Sequence, residues 1–376
     1  GRVVHARTVD DLLTGIAQCV RAGSGIDLPV DDPGVQQWLL DHAPGRSQIG
    51  GTGAQAAATL DRLGFPSLVH LTGRSGEQIA ALEGGPEMRI STPRGPVVAA
   101  DAIQPGDPTM WHLALEFGAG LAIPAAAGGG ISPAGDRVIV SHDPVNADFR
   151  IDPAYVAEVA GAGDRIPAAL ISGFSQVTDP ARLERVLADA AVELRRWRAE
   201  HPGLLVHLEL GAMPRPELLP MVLDALAPHV GSIGLNEDEL RDLDDPNRTE
   251  AAFGHAERLG ALCRLADRLP TPRIGLHTRA GCLSLTTGDP ERERDALLFG
   301  SLAAAARVNV GRFPAFDDCR ETLASADVRL AAPPPASGPA GRAVVVTPGL
   351  RLARQAASVG LGDTFTAGLL AALTMR

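Results

Sequence analysis

Three short stretches of this chain combine residue types that can do chemistry. The first is Gly360-Leu361-Gly362-Asp363-Thr364, directly before an apolar run. Two glycines let the backbone turn tightly and leave unhindered amides at a helix start, where the aligned peptide dipoles favour an anion such as a phosphoryl group. A carboxylate beside such a site is badly placed to bind phosphate but well placed to take a proton from an attacking hydroxyl. The same residues read without chemistry as a Gly-rich turn in which Asp363 caps the helix. The second stretch is Asn236-Glu237-Asp238-Glu239. Asn236 and Glu239 project from one face of a helical turn, and their oxygens suit Mg²⁺. An acidic helix start that favours the dipole is the plainer reading. The third is His207-Leu208-Glu209, where strand alternation puts His207 and Glu209 on one face and Leu208 on the other. A polar pair at a sheet rim needs no function; at the carboxyl end of a parallel strand it sits where α/β proteins bind ligands.

The elements that must position these groups follow from pattern. Thr8 to Gln18 and Val35 to Asp41 read as helices, and Gly50-Gly51-Thr52-Gly53 feeds an Ala-rich helix from Ala54 to Leu63. Ser67 to Leu71 reads as a short buried strand. Between Glu87 and His142 the runs Val97 to Ile103, Trp111 to Phe117 and Arg137 to Ser141 are separated by Gly/Pro turns, which predicts an antiparallel sheet inserted into an α/β chain. From Ala168 strand and helix alternate regularly, which predicts a doubly wound, mostly parallel sheet flanked by helices. The helix expected from Glu250 to Leu269 belongs to this alternation, and Leu330 to Gly341 reads as a Pro/Ala/Gly linker. The expected division is a core of residues 1–20, 50–86 and 141–376 and a smaller β-rich lid of residues 21–49 and 87–140.

Composition excludes several classes. Net charge is -11, only 3% of residues are aromatic, and there is no basic stripe, so nucleic acid is not an expected partner. The chain contains no lysine, which excludes a Walker P-loop and Schiff-base chemistry. No apolar run is long enough for a membrane span, and no secretion signal is visible. Cys19, Cys263, Cys282 and Cys319 form no CxxC pair and read as thiols of a reducing cytoplasm.

Taken in order, Asn-x-x-Glu followed much later by Gly-x-Gly-Asp resembles the ribokinase-like superfamily, and His207-Leu208-Glu209 resembles the His-x-Glu of its ADP-dependent sugar kinases. Further similarity runs through Arg46 to Gly51, Leu115-Glu116-Phe117, Asp136 to Ile139, Ile171 to Phe174, His277-Thr278, Ala304 to Arg307 and Ser358 to Thr364. The resemblance implies a kinase that transfers a phosphoryl group from ADP to a hydroxyl of a sugar or sugar-like compound, in the cytoplasm, as a monomer or small homo-oligomer. It implies Asp363 as base, with the backbone of Gly360, Leu361 and Gly362 as anion hole. It places Glu209, Glu239 and Asn236 on a hydrated Mg²⁺, and Gly50, Gly51, Thr52 and Glu116 at the acceptor. Arg137, His277, Thr347 and Val359 fall to the nucleotide.

The family's first strand carries an Asn-x-Asp segment that grips the acceptor. Aligned on Trp38 and Gly50-Gly51, Gly1 falls after that strand, and Ile26-Asp27 falls in the lid, so no such role is assigned to it. Two alternatives stay open: the same chemistry with ATP as donor, and a nucleotide-binding pseudokinase without turnover. Retention of both Asp363 and the acidic set speaks against the second.

Overall fold

Aspartate followed by proline opens helix after helix in this chain. Asp32, Asp143, Asp152, Asp179 and Asp289 each precede a Pro, and each side chain accepts a hydrogen bond from an amide of the turn that follows. The carboxylate satisfies an amide that the helix cannot, and the fixed φ of Pro suits the first helical position. The computed structural model describes residues 5–43, 45, 47–249, 252–325, 336–350 and 359–375. Within the similarity above, Arg46 and Ser358 lie outside these residues, as do Leu330 to Pro335 of the expected linker and the Glu250 start of the expected helix. The chain divides into two compact units, Gly1–Gln48 with Gly106–Asp148, and Ile49–Pro105 with Phe149–Arg376.

The smaller unit opens with α1 (Val9–Ala22), β1 (Ile26–Pro29) and α2 (Pro33–His42). The chain then runs through the larger unit as α3 (Thr52–Arg62), β2 (Ser67–Val69), α4 (Gly76–Leu82) and β3 (Met88–Ile90), and β2 pairs in parallel with β3. It returns as β4 (His112–Phe117), β5 (Asp136–Ser141) and α5 (Pro144–Ala147). Strand β5 lies between β1 and β4, parallel to the first and antiparallel to the second. One face of this sheet packs Leu28, Val138 and Val140 against Leu12, Cys19, Val35 and Leu39 of the two helices. Helix α1 therefore belongs with the smaller sheet and β3 with the larger unit, unlike the expected boundaries. An amphipathic stripe shows that a helix has a buried face, not which sheet covers it. Val97 to Ile103, expected as a strand, makes one bridge at Val97 and then a 3₁₀ turn over Ala99–Ala102. Ala99 and Ala102 are buried while Val98 and Ile103 are exposed, a spacing of three that suits a helical turn.

The remaining elements of the larger unit are α6 (Pro153–Ala162), β6 (Ala168–Ile171), α7 (Pro180–Glu200), β7 (Leu205–Glu209), α8 (Leu219–Leu226), β8 (Ser232–Leu235), α9 (Glu237–Asp244) and α10 (His255–Arg268). They are followed by β9 (Arg273–Thr278), β10 (Gly281–Thr286), α11 (Pro290–Val310), α12 (Phe316–Ser325), β11 (Ala336–Ser337), β12 (Ala343–Pro348) and α13 (Leu361–Thr374). Seven strands form one sheet in the order β11-β12-β10-β9-β8-β7-β6. Strands β6 to β9 are parallel, and β10, β12 and β11 continue the sheet antiparallel. The change of direction comes at Arg279-Ala280, a two-residue link between the paired Thr278 and Gly281, far too short for a crossover helix. Leu283, Leu285 and Val344 join a core with α7, α8 and α10, while Cys282 and Val345 point the other way to meet α11 and α13. Both faces of the sheet are thus covered, as in a doubly wound α/β fold.

Candidate active site

Strands β7, β8 and β9 end side by side, so Glu209, Asn236 and His277 are delivered to one carboxyl edge of the sheet. The Glu209 carboxylate accepts from His277 Nε2 at 2.8 Å on Oε1, and from His207 Nε2 at 2.8 Å and Thr366 Oγ1 at 3.0 Å on Oε2. Burial alone would raise its pKa, but the adjacent His277 and the bonds from both imidazoles more than offset that and hold it well below the usual carboxylate range. Burial likewise pulls His277 down, and Glu209 outweighs it and leaves the His277 pKa raised. The edge therefore holds an ionised carboxylate beside an imidazole that favours its charged form.

Asn236 and Glu239 form a capping box at the start of α9. Asn236 Oδ1 accepts from the amides of Asp238 and Glu239, and the Glu239 carboxylate accepts from the Asn236 amide and from Asn236 Nδ2, both at 2.9 Å. The acidic helix start is thus a true cap, as the plainer reading held. Glu239 is nonetheless 3% exposed, and burial, with the Glu209 charge adding to it, pushes its pKa up to about 8. A divalent cation at this edge would reverse that preference, because it favours the ionised form.

The catalytic-loop candidate is a helix terminus built without a cap. Gly360, with φ of 72°, is the N-cap of α13, and no side chain caps that helix. Asp363 therefore does not act as the cap, and the first-turn amides are left for an anion. Two groups fix the turn from beneath. A Cβ at Gly360 would lie 1.8 Å from Gln55 Oε1 and 2.7 Å from Arg307 Nη2. Arg307, 2% exposed, donates from Nη1 to Gly360 O at 3.1 Å and to Thr364 Oγ1 at 2.8 Å, with its guanidinium over Phe313.

Helix α3 brings a second uncapped terminus alongside. Its N-cap is Gly51, with φ of 84° and no side-chain cap, and a Cβ at Gly50 or Gly51 would meet nothing within 4 Å. Thr59 of α3 touches Thr364 of α13 at 3.3 Å, and Thr52 hydrogen-bonds Asp363, so the two positive helix ends lie together. The Asp363 pKa is raised, chiefly by burial; Glu209 adds to the rise, while Thr52, Arg307 and His277 counter it. A carboxyl held closer to neutrality is a better proton acceptor than an ordinary Asp.

The other candidates are spread over both units. Thr347 is 1% exposed on β12, in register with Cys282, while Val359 is half-buried just before Gly360. Glu116 and Arg137 are cross-strand partners in the smaller unit. The same non-core face of that sheet carries Asp27 of β1, opposite Ile139, and His112 of β4, opposite Ser141. Burial raises the Asp27 pKa, with His112 and Arg137 acting against the rise. Gln55 and Thr366 were not singled out from the sequence, Arg307 entered only as the end of a similar stretch, and Asp27 was given no role. Asp27 carried a local signal, a lone acid in an apolar run; the other three gain meaning only from contacts distant in sequence.

The sequence profile of the ADP-specific phosphofructokinase/glucokinase conserved region matches residues 4–372. An ADP-dependent glucose/glucosamine kinase of Pyrococcus furiosus is 26% identical over 327 residues, which cover 84% of this chain and 70% of that protein. An ADP-specific phosphofructokinase of Methanosarcina acetivorans is 22% identical over 421 residues, covering 97% and 84%. Among solved structures, an ADP-dependent kinase in complex with fructose-6-phosphate and ADPβS superimposes with a TM-score of 0.85 at 19% identity, covering 99% of this chain and 89% of that one. A hypothetical ADP-dependent phosphofructokinase from Pyrococcus horikoshii gives 0.78 at 17% identity, covering 98% and 88%.

Proposed function

This chain belongs to the ADP-specific phosphofructokinase/glucokinase family, and from that premise we propose that Asp363 takes the proton from a sugar hydroxyl as the β-phosphoryl group of ADP settles on the amides of Gly360, Leu361 and Gly362. The observation that carries this is the uncapped, glycine-turned start of α13 with a carboxyl in its first turn. The acceptor oxygen bonds to the β-phosphorus, the bond from that phosphorus to the bridging oxygen breaks, AMP departs, and the hydroxyl proton ends on Asp363. Positioning and charge neutralisation supply most of the catalysis in such transfers. Arg307 holds the turn from below, and the α3 terminus at Gly51 adds its positive end.

Glu209, Glu239 and Asn236 offer hard oxygen donors of the kind Mg²⁺ takes. Among the described residues no group of three or more His, Cys, Asp or Glu is arranged to hold a metal ion. The cation would therefore be held largely through water and nucleotide phosphates, with Glu209 and Glu239 at its edge. When bound, it would neutralise charge on the phosphates. On the acceptor side, Gly50 and Gly51 leave room for close approach.

A coupled assay with ADP and ATP in parallel, against neutral sugars, aminosugars, sugar phosphates and nucleosides, tests the proposal. Turnover with ADP, with AMP formed in step with sugar phosphate, is the expected result. Nucleotide binding with no transfer to any acceptor would mark a pseudokinase.

A further inference from the structure

Parallel strands covered on both sides ordinarily carry apolar residues on both faces. On one face, β7, β8 and β9 do not. His207, Ser232 and Arg273 lie in register across them, and two residues along lie Glu209, Gly234 and Gly275. The first three are at most 5% exposed, and Glu293 of α11, which meets Arg273, is 2% exposed. The glycines make the space: a Cβ at Gly234 would fall 2.2 Å from Glu209 Oε2 and 2.9 Å from His207 Nε2, and one at Gly275 would fall 2.8 Å from Arg273 Nη2.

The direction of the hydrogen bonds at the arginine end of this stripe is forced. Glu293 accepts from Arg273 Nε at 2.9 Å. A guanidinium has only donors, so Ser232 Oγ accepts from Arg273 Nη1 at 2.9 Å. The hydroxyl keeps its proton, and His207 Nδ1 lies 2.7 Å away; because the Glu209 carboxylate on the other side of the ring can only accept, Nδ1 is the nitrogen left to take the Ser232 proton. With Nδ1 as acceptor, a neutral imidazole carries its proton on Nε2, which faces Glu209 Oε2 at 2.8 Å.

We propose that Glu293, Arg273 and Ser232 are positioning residues: a buried chain from α11 across three strands that fixes His207 as its Nε2–H tautomer and so holds the Glu209 carboxylate in place at the sheet edge. The inference rests on the assignment of Glu209 to the nucleotide's cation. Stability does not account for the stripe, since apolar residues of similar volume in place of a buried ion pair are often neutral or stabilising. Orientation of a ligand from behind does account for it, and loss of such partners typically costs about 10–100-fold in metal affinity or activity.

Ser232→Ala removes the middle of the chain, and Ser232→Thr keeps the hydroxyl. Nitrogen-15 spectra of the metal-free wild-type protein at neutral pH should show His207 as a single Nε2–H tautomer with a hydrogen-bonded Nδ1. In Ser232→Ala the Nδ1 resonance should move to its unbonded position. Turnover and Mn²⁺·ADP affinity, the latter read by electron paramagnetic resonance, should each fall by about 10–100-fold with KM for the acceptor unchanged. Ser232→Thr should restore the bonded Nδ1 signal and part of the turnover. If Ser232→Ala fails to fold, Glu293→Gln, which keeps the shape but removes the charge that anchors Arg273, carries the same expectations for turnover and Mn²⁺·ADP. An Nδ1–H tautomer or an imidazolium in the wild type overturns the proposal. So does wild-type turnover and Mn²⁺·ADP affinity in a folded variant. If the wild type transfers phosphoryl to no acceptor, the kinase reading fails, while the imidazole spectrum still decides the chain.

Discussion

Asp363 is flanked by Glu209 from β7, His277 from β9 and Arg307 from α11, with the Thr52 hydroxyl from α3. Replacing it with Asn keeps the size and removes the base. Turnover should fall by roughly 10²–10⁴-fold while nucleotide still binds, and steady-state kinetics with calorimetric ADP titration checks both. Since the base must be ionised, wild-type kcat should rise with pH through a limb placed above the ordinary Asp value. The same shift has a stability consequence of fixed sign. A carboxyl whose folded pKa is raised favours the folded state below its unfolded pKa and loses that contribution as pH rises through the folded pKa. Asp363→Asn should therefore melt at or above the wild type at neutral pH, with the difference vanishing at acid pH. A lower melting temperature at neutral pH would mean that the carboxylate stabilises the turn, contrary to its raised pKa.

At the level of elements, the two glycines at the start of α13 meet different demands. Gly360 needs its left-handed φ of 72° and has Gln55 and Arg307 against its α-carbon, whereas a Cβ at Gly362 would meet only His277 Cε1, at 3.3 Å. Gly360→Ala should cost about 1–2 kcal/mol from backbone conformation alone, with displacement of Gln55 and Arg307 in addition, and should abolish turnover. Gly362→Ala should fold nearly as the wild type. Thermal melts of the pair check the contrast. The loop itself was legible because Gly-x-Gly-Asp before an apolar run is a local pattern. So was the His-x-Glu pair, through strand alternation. Arg307, Gln55 and Thr366 were not legible, since no local period indicates which distant helix will supply a donor. Val97 to Ile103 misled because its apolar residues suit either a strand or a turn, and burial of Ala99 and Ala102 decided for the turn. The mostly parallel sheet was legible from the alternation, but where it turns antiparallel was not, because Arg279-Ala280 lacks the Asn-Gly type of hairpin signal.

At the scale of the molecule, each unit has a core of its own. Leu12, Leu28, Val138 and Val140 pack within the smaller unit, while Leu208, Ile233, Leu235 and Leu276 pack under the carboxyl edge of the larger sheet. None of the cores shares a residue with another, so a cavity in one should leave the other's packing intact. Leu28, on the edge strand β1, is fully buried in the core of the smaller unit. Its replacement by Ala removes transferred apolar surface and leaves a cavity, a combination that costs about 2–5 kcal/mol in buried leucines. Hydrogen exchange should then quicken through α1, β1, β4 and β5 while amides of β7, β8 and β9 keep their protection. Asp363, the Gly360 turn and Glu209 all stand on the larger unit, and Asp27, Glu116 and His112 on the smaller. Leu28→Ala should therefore retain ADP binding, measured by calorimetry. Loss of ADP binding together with uniform loss of protection would show that the two cores unfold as one.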